Sequence, residues 1–96
     1  MTTKIAIIQM EIVFGNPEEN RKLAKEKIKE AAAQGSEVIL LPELWTTGYD
    51  LSRFEEIAET LEGPTHQLLI SLAKELKVTI AGSIAEDENG KFYNTF

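Results

Sequence analysis

The residues best suited to chemistry lie together in the segment LLPELWTTGYD, Leu40 to Asp50. Glu43 follows Pro42 and is flanked by Leu41, Leu44 and Trp45. A carboxylate among such neighbours is expected to be partly desolvated, and desolvation raises its pKa toward the range a general base needs. Thr46 and Thr47 would add hydroxyls, Gly48 a backbone site open to close approach, and Tyr49 a phenol able to line a substrate pocket. Tyr49 and Trp45 are each as well read as core packing, because an aromatic after a strand is usually buried. By position alone, Glu43 is more often a solvated loop charge than a catalyst. The remaining candidates are bland. His66, the single histidine, falls in the first turn of a helix and reads as a surface residue. Glu55 and Glu56 are helix-start charges. Asp87-Glu88-Asn89-Gly90 lacks the ligand alternation of a calcium loop and reads as a hairpin turn with an Asn-Gly signal. No metal site is expected. The chain has no cysteine, which removes disulfides, thiolate zinc sites and a cysteine nucleophile from these residues.

Placing Glu43 requires a scaffold. Ile5 to Met10 is an apolar run broken only by Gln9, the pattern of a strand buried on both faces. Asn16 can cap a helix that takes Pro17 at its first position and Glu18 and Glu19 in its first turn. That helix runs to Gln34, with Leu23, Ala24, Ile28, Ala31 and Ala32 on one face and Gly35 at its end. Glu37 to Leu41 is a second doubly buried strand, stopped by Pro42. Strand, helix, strand makes a βαβ unit, hence parallel pairing with a right-handed crossover. Ligands bind at the carboxyl ends of such strands, and Glu43 follows the second one directly. Ser52 starts another helix with Glu55 completing a capping box, and Phe54, Ile57, Ala58 and Leu61 form its apolar side. Gly63-Pro64-Thr65 opens a further helix whose inward residues are Leu68, Leu69, Leu72, Ala73 and Leu76. Val78 to Ala85 reads as one strand. Lys91 to Phe96 reads as the start of a returning strand, so the sheet is expected to keep an open edge and an uncovered face.

Composition narrows the partners. With 43% hydrophobic and 27% charged residues, the chain is an ordinary soluble globular unit, and its 96 residues allow one small domain. The net charge of −6 argues against nucleic acid, and the basic residues from Arg21 to Lys29 mix with acids on one helix and form no basic stripe. No apolar run reaches membrane-span length, and the amino terminus is no signal peptide, which leaves the cytoplasm as the expected compartment.

LLPELWTTGYD, preceded by a helix ending Ala-Gln-Gly-Ser, resembles the first signature of the nitrilase superfamily of carbon–nitrogen hydrolases. IAIIQM, VTIAGSIAE and FYNTF stand in the order and rough spacing of that family, so the resemblance covers the whole chain. It implies an α/β fold, the N-terminal portion of a four-layer α-β-β-α sandwich, with residues 1–96 one part of a single domain. It also implies a Glu-Lys-Cys triad in which Glu43 is the general base. The lysine and the cysteine would follow Phe96; Lys91 precedes the YNT element and does not match. The implied reaction is thiolate attack on an amide or nitrile carbon, loss of ammonia and hydrolysis of a thioester. It needs no organic cofactor and no metal. PELWTTGYDL is similar to ω-amidase-like members acting on dicarboxylate monoamides, with a small-molecule amide as substrate and homo-oligomers in the complete protein. Two alternatives stand beside this: an N-carbamoyl-amine hydrolase or nitrilase of the same superfamily, and a non-catalytic fragment that only associates with other chains. A flavodoxin-like binding domain fits less well, because MEIVFGN after the first strand is no phosphate loop.

Overall fold

The computed structural model describes residues 2–96. Ile5–Ile7 (β1), Val38–Leu40 (β2) and Thr79–Ala81 (β3) form a parallel sheet with β2 in the middle. Pro17–Ala33 (α1) and Pro64–Leu76 (α3) make the two crossovers. Ala24, Ile28 and Ala31 of α1 meet Leu72 of α3 and Ile39 of β2 in one core, which Ile8, Leu41, Trp45 and Ile84 extend. The α1 start forms as its residues predict: Asn16 accepts a hydrogen bond from the Glu19 N–H at 3.2 Å, and Pro17 holds the first position.

The pairing register sorts the sheet residues by face. Ala6, Ile39 and Ile80 align on the helix side, and Ile39 is fully buried. Ile5, Ile7, Val38, Leu40, Thr79 and Ala81 point to the other side, where Ile5 and Ile7 are 56% and 74% exposed. The expected double burial of the first two strands is therefore corrected: one face is covered, and the other is apolar and open. Continuous apolar patterning belongs to a strand held between two layers, and only the helical layer lies within these residues.

Two other expectations change. Val78 to Ala85 is not one strand: β3 ends at Ala81, and Ile84–Glu88 (β4) pairs antiparallel with Lys91–Thr95 (β5) in a separate ribbon. Gly82 makes the break possible, since a Cβ there would lie 2.9 Å from Leu41 Cβ and 3.2 Å from the Trp45 ring. The turn between β4 and β5 is the two-residue Asn89-Gly90 turn its sequence predicts, with φ of 53° and 83°. The helix expected from Ser52 to Leu61 is a 3₁₀ turn, Leu51–Arg53, running into a single α turn, Phe54–Ile57 (α2). No capping box forms, because the Ser52 hydroxyl bonds the Asp50 carboxylate at 3.1 Å instead. Ala58 is extended, and Glu59 bridges to Glu86 of β4, which ends the helix and leaves Leu61 exposed. Among the described residues, no helix is long and apolar enough to cross a membrane.

Candidate active site

At the carboxyl end of β2 the Leu41 N–H still pairs with Ala81 O at 2.8 Å, and Pro42, having no N–H, ends the ladder. Residues 43–47 turn back sharply. Leu44 takes the left-handed conformation, φ 47°, which a leucine adopts at a cost of about 1–3 kcal/mol. Ser83, in the break between β3 and β4, holds it there. Its hydroxyl accepts the Leu44 N–H at 2.9 Å, and its carbonyl lies 3.4 Å from the Trp45 N–H. The turn sends Leu44 and Trp45 into the core, at 3% and 0% exposure, and leaves Glu43 on the rim.

A buried asparagine anchors the far side of this loop. Asn20, on α1, accepts the Val13 N–H at 2.7 Å and donates to Val13 O at 2.8 Å and Thr46 O at 2.7 Å. Asn20 therefore ties the loop after β1 to the loop after β2. Its removal leaves the Val13 N–H and Thr46 O unpaired, while Val13 O keeps the Asn16 N–H at 3.2 Å; each unpaired group costs about 1–3 kcal/mol. Asn20→Ala is expected to lower stability by about 2–4 kcal/mol, read as a lower urea midpoint at unchanged m-value. Sequence reasoning missed this residue. Its one signal is a polar side chain four positions before Ala24 on the apolar stripe of α1.

Glu43 is held from two sides. The Tyr49 hydroxyl donates to Oε1, and the Asn94 carboxamide of β5 donates to Oε2 at 3.2 Å. These bonds to the charged form, Tyr49 first and Asn94 second, hold the Glu43 carboxyl below its ordinary range. The expectation of a partly dry carboxylate with a raised pKa is corrected: Glu43 is exposed, and its apolar sequence neighbours face inward. Tyr49 is pushed up in turn, chiefly because its proton sits on Glu43. Tyr49→Phe is thus expected to move the Glu43 titration upward, measured by carboxyl NMR. A depressed folded pKa gives stability that is present above the unfolded pKa and lost as pH falls through the folded one. Tyr49→Phe should therefore also blunt the acid sensitivity that this group causes.

Glu43 and Asn94 line a cleft of about 290 Å³ with Leu41, Ser83 and Phe96. Thr46 and Thr47 do not reach it. Both are buried, and the Thr47 hydroxyl donates to Gly48 O at 2.7 Å. Gly48 is also buried, with its N–H committed to Leu44 O at 2.7 Å, so it offers no approach to a ligand. Tyr49, 60% exposed, stands on the carboxylate itself. His66 is exposed on α3, and Lys91 sits opposite Glu88 beside the hairpin turn. A larger depression of about 650 Å³ holds Arg21 and Arg53, but Glu59 pairs with Arg21, and Asp50 and Glu56 pair with Arg53.

The carbon-nitrogen hydrolase family model matches residues 4–96. The chain is 41% identical to the 2-oxoglutaramate amidase of Bacillus subtilis over 96 residues, covering 99% of this chain and 37% of that protein. It is 39% identical to the human omega-amidase over 93 residues, covering 96% of this chain and 33% of that one. Among solved structures, a CN-hydrolase superfamily protein from Xanthomonas campestris, with an arsenic adduct in its active site, superposes at TM-score 0.84. It is 27% identical and covers 94% of this chain and 33% of its own. A variant amidase from Nesterenkonia sp. AN1 superposes at TM-score 0.77 and 21% identity, over 91% of this chain and 35% of its own, and shares the fold. The chain spans about a third of the length of these relatives.

Proposed function

The chain belongs to the carbon–nitrogen hydrolase family, and from that premise we propose that it supplies the general base, Glu43, of an amide-hydrolysing enzyme. The observation that carries the reading is the rim geometry: a carboxylate just past a parallel strand, hydrogen-bonded through both oxygens and open to a cleft. The strand end is where an α/β sheet places its ligands.

In the proposed reaction Glu43 takes the proton from a cysteine thiol supplied by chain outside these 96 residues. The thiolate attacks the amide carbon, and the new oxyanion is stabilised by the lysine of the family's triad. Glu43 returns the proton to the departing nitrogen, ammonia leaves and a thioester remains. Glu43 then takes a proton from water, which attacks the thioester to release the carboxylic acid and restore the thiol. A carboxyl held low is a weak base for a thiol. Covering the rim with further protein would desolvate Glu43 and raise it toward working pH. The open apolar face carrying Ile5 and Ile7 supports such a cover, since exposed apolar faces of this kind are usually contact surfaces.

The substrate class proposed is the monoamide of a short dicarboxylic acid, in line with the amidases among the relatives, and the complete enzyme is proposed to self-associate. A panel of one such monoamide, an N-carbamoyl amine and an aliphatic nitrile tests the class. Ammonia release fastest from the monoamide supports the reading, and preference for either other substrate moves the enzyme to another branch. The 96 residues alone are expected to release no ammonia from any of the three; turnover by the isolated chain would refute the need for an outside thiol.

A further inference from the structure

Asn94 lies 51 positions after Glu43, on a different sheet, and its carboxamide reaches the same carboxylate. The ribbon explains why it does. In β5 the alternation puts Phe92 and Asn94 on one face, and the register sets Asn94 opposite Ala85, which is 2% exposed. β4 is itself fastened to the body of the chain. The Glu59 N–H donates to Ala85 O at 3.0 Å, and the Asp87 N–H donates to Glu59 O at 2.7 Å. Glu59 is fixed in turn by Arg21 at 3.3 Å and by the Thr65 N–H at 2.8 Å. Asn94 therefore projects from a strand clamped at its partner rather than from a loose hairpin.

Tyr49 has a different origin. It stands six residues after Glu43 on the same loop, so it moves with the carboxylate. A donor that travels with the base cannot fix it relative to the sheet, whereas a donor on the ribbon can. With Oε1 engaged by Tyr49 and Oε2 by Asn94, the carboxylate plane is set by two bonds of independent origin. A carboxylate has about four lone-pair positions. Two are taken, and Glu43 and Asn94 line the cleft together with Leu41 and Ser83.

We infer that Asn94 is a positioning residue that fixes the carboxylate of Glu43 toward the cleft by hydrogen-bonding Oε2 from the second sheet. Its role is exerted through Glu43 and involves no contact with the reacting atoms. The inference rests on the reading of Glu43 as base. The hydrogen bond also favours the ionised carboxylate, so its loss should raise the pH at which the base becomes active.

The test uses the active enzyme carrying this chain together with its thiol, with kcat and KM measured across pH for the parent, Asn94→Ala, Asn94→Asp and Glu43→Gln. Asn94→Ala is expected to lower kcat about tenfold, in keeping with one hydrogen bond to a charged group. KM should stay nearly constant, and the acid limb of the rate profile should move to higher pH. Asn94→Asp, which sets a like charge beside Glu43, should move that limb further in the same direction and lower kcat more. Asn94 is no part of the hydrophobic core, so both variants should keep the parent melting temperature within a few degrees. Parent kcat and an unmoved acid limb in Asn94→Ala, with Glu43→Gln inactive, would overturn the role of Asn94 alone. A fully active Glu43→Gln would overturn the base reading beneath it. A raised KM with unchanged kcat would also overturn the inference, since it marks Asn94 as a substrate contact.

Discussion

Glu43→Gln is expected to lower kcat of the proposed amide-hydrolysing enzyme by about a hundredfold to ten-thousandfold, the contribution of a positioned general base. Glutamine keeps the shape of the side chain and an oxygen that Asn94 can still reach, but it cannot accept the thiol's proton. Glu43 and its bonding partners, Tyr49 and Asn94, lie outside the hydrophobic core, so the fold should be indifferent to the change. Ammonia release and far-UV circular dichroism measured on the same sample separate the two effects. A lost spectrum would mean the residue is structural, and a retained rate would remove the base assignment. The two outcomes cannot be confused, because the rate is predicted to fall in a protein that stays folded.

Trp45→Ala should produce the largest stability loss of any single change in the loop. Trp45 is fully buried, joins Ile39, Leu41 and Leu72 in the core cluster, and is packed under Gly82. Truncating such a side chain costs about 3–5 kcal/mol, a large share of the roughly 5–15 kcal/mol that keeps a domain folded. The consequence reaches the site, because the backbone that carries Trp45 also carries Glu43 two residues earlier. Trp45→Phe distinguishes packing from hydrogen bonding. The indole N–H has no hydrogen-bond partner among the described residues, so phenylalanine gives up volume but no polar interaction. The urea midpoint of Trp45→Phe should therefore lie much nearer to the parent than that of Trp45→Ala. Equal losses in the two variants would show that the N–H matters as much as the ring.

The sequence pattern carried the scaffold well where local chemistry decides structure. Asn16 and Pro17 announced the start of α1, Gly63-Pro64 that of α3, and Asn89-Gly90 the hairpin turn. Pro42 marked the end of the middle strand, and with it the strand end that Glu43 follows. What stayed hidden depends on distant parts of the chain. The strand expected over Val78 to Ala85 breaks at Gly82, where Leu41 and Trp45, some forty residues earlier, leave no room for a side chain. The helix at Ser52 stops after one α turn because Glu59 is drawn into pairing with Glu86. The surroundings of Glu43 were misjudged for the same reason. Its neighbours in sequence are apolar, but the left-handed Leu44 turns Leu44 and Trp45 away from it, and its actual neighbours are Tyr49 and Asn94. Apolar flanks in the sequence thus gave the wrong direction for its pKa. Asn20 was unreadable in the same way, since a helix pattern does not show that a polar residue on its apolar face will meet two loop carbonyls.

The most direct test of Glu43 as a carboxylate base is rescue by an external one. The Glu43→Ala variant of the active enzyme would be followed by ammonia release from a dicarboxylate monoamide with increasing formate. The account predicts a rate near background without formate that climbs with its concentration, while formate leaves the parent enzyme unchanged. Ammonia released by Glu43→Ala at the parent rate with no formate present would contradict it.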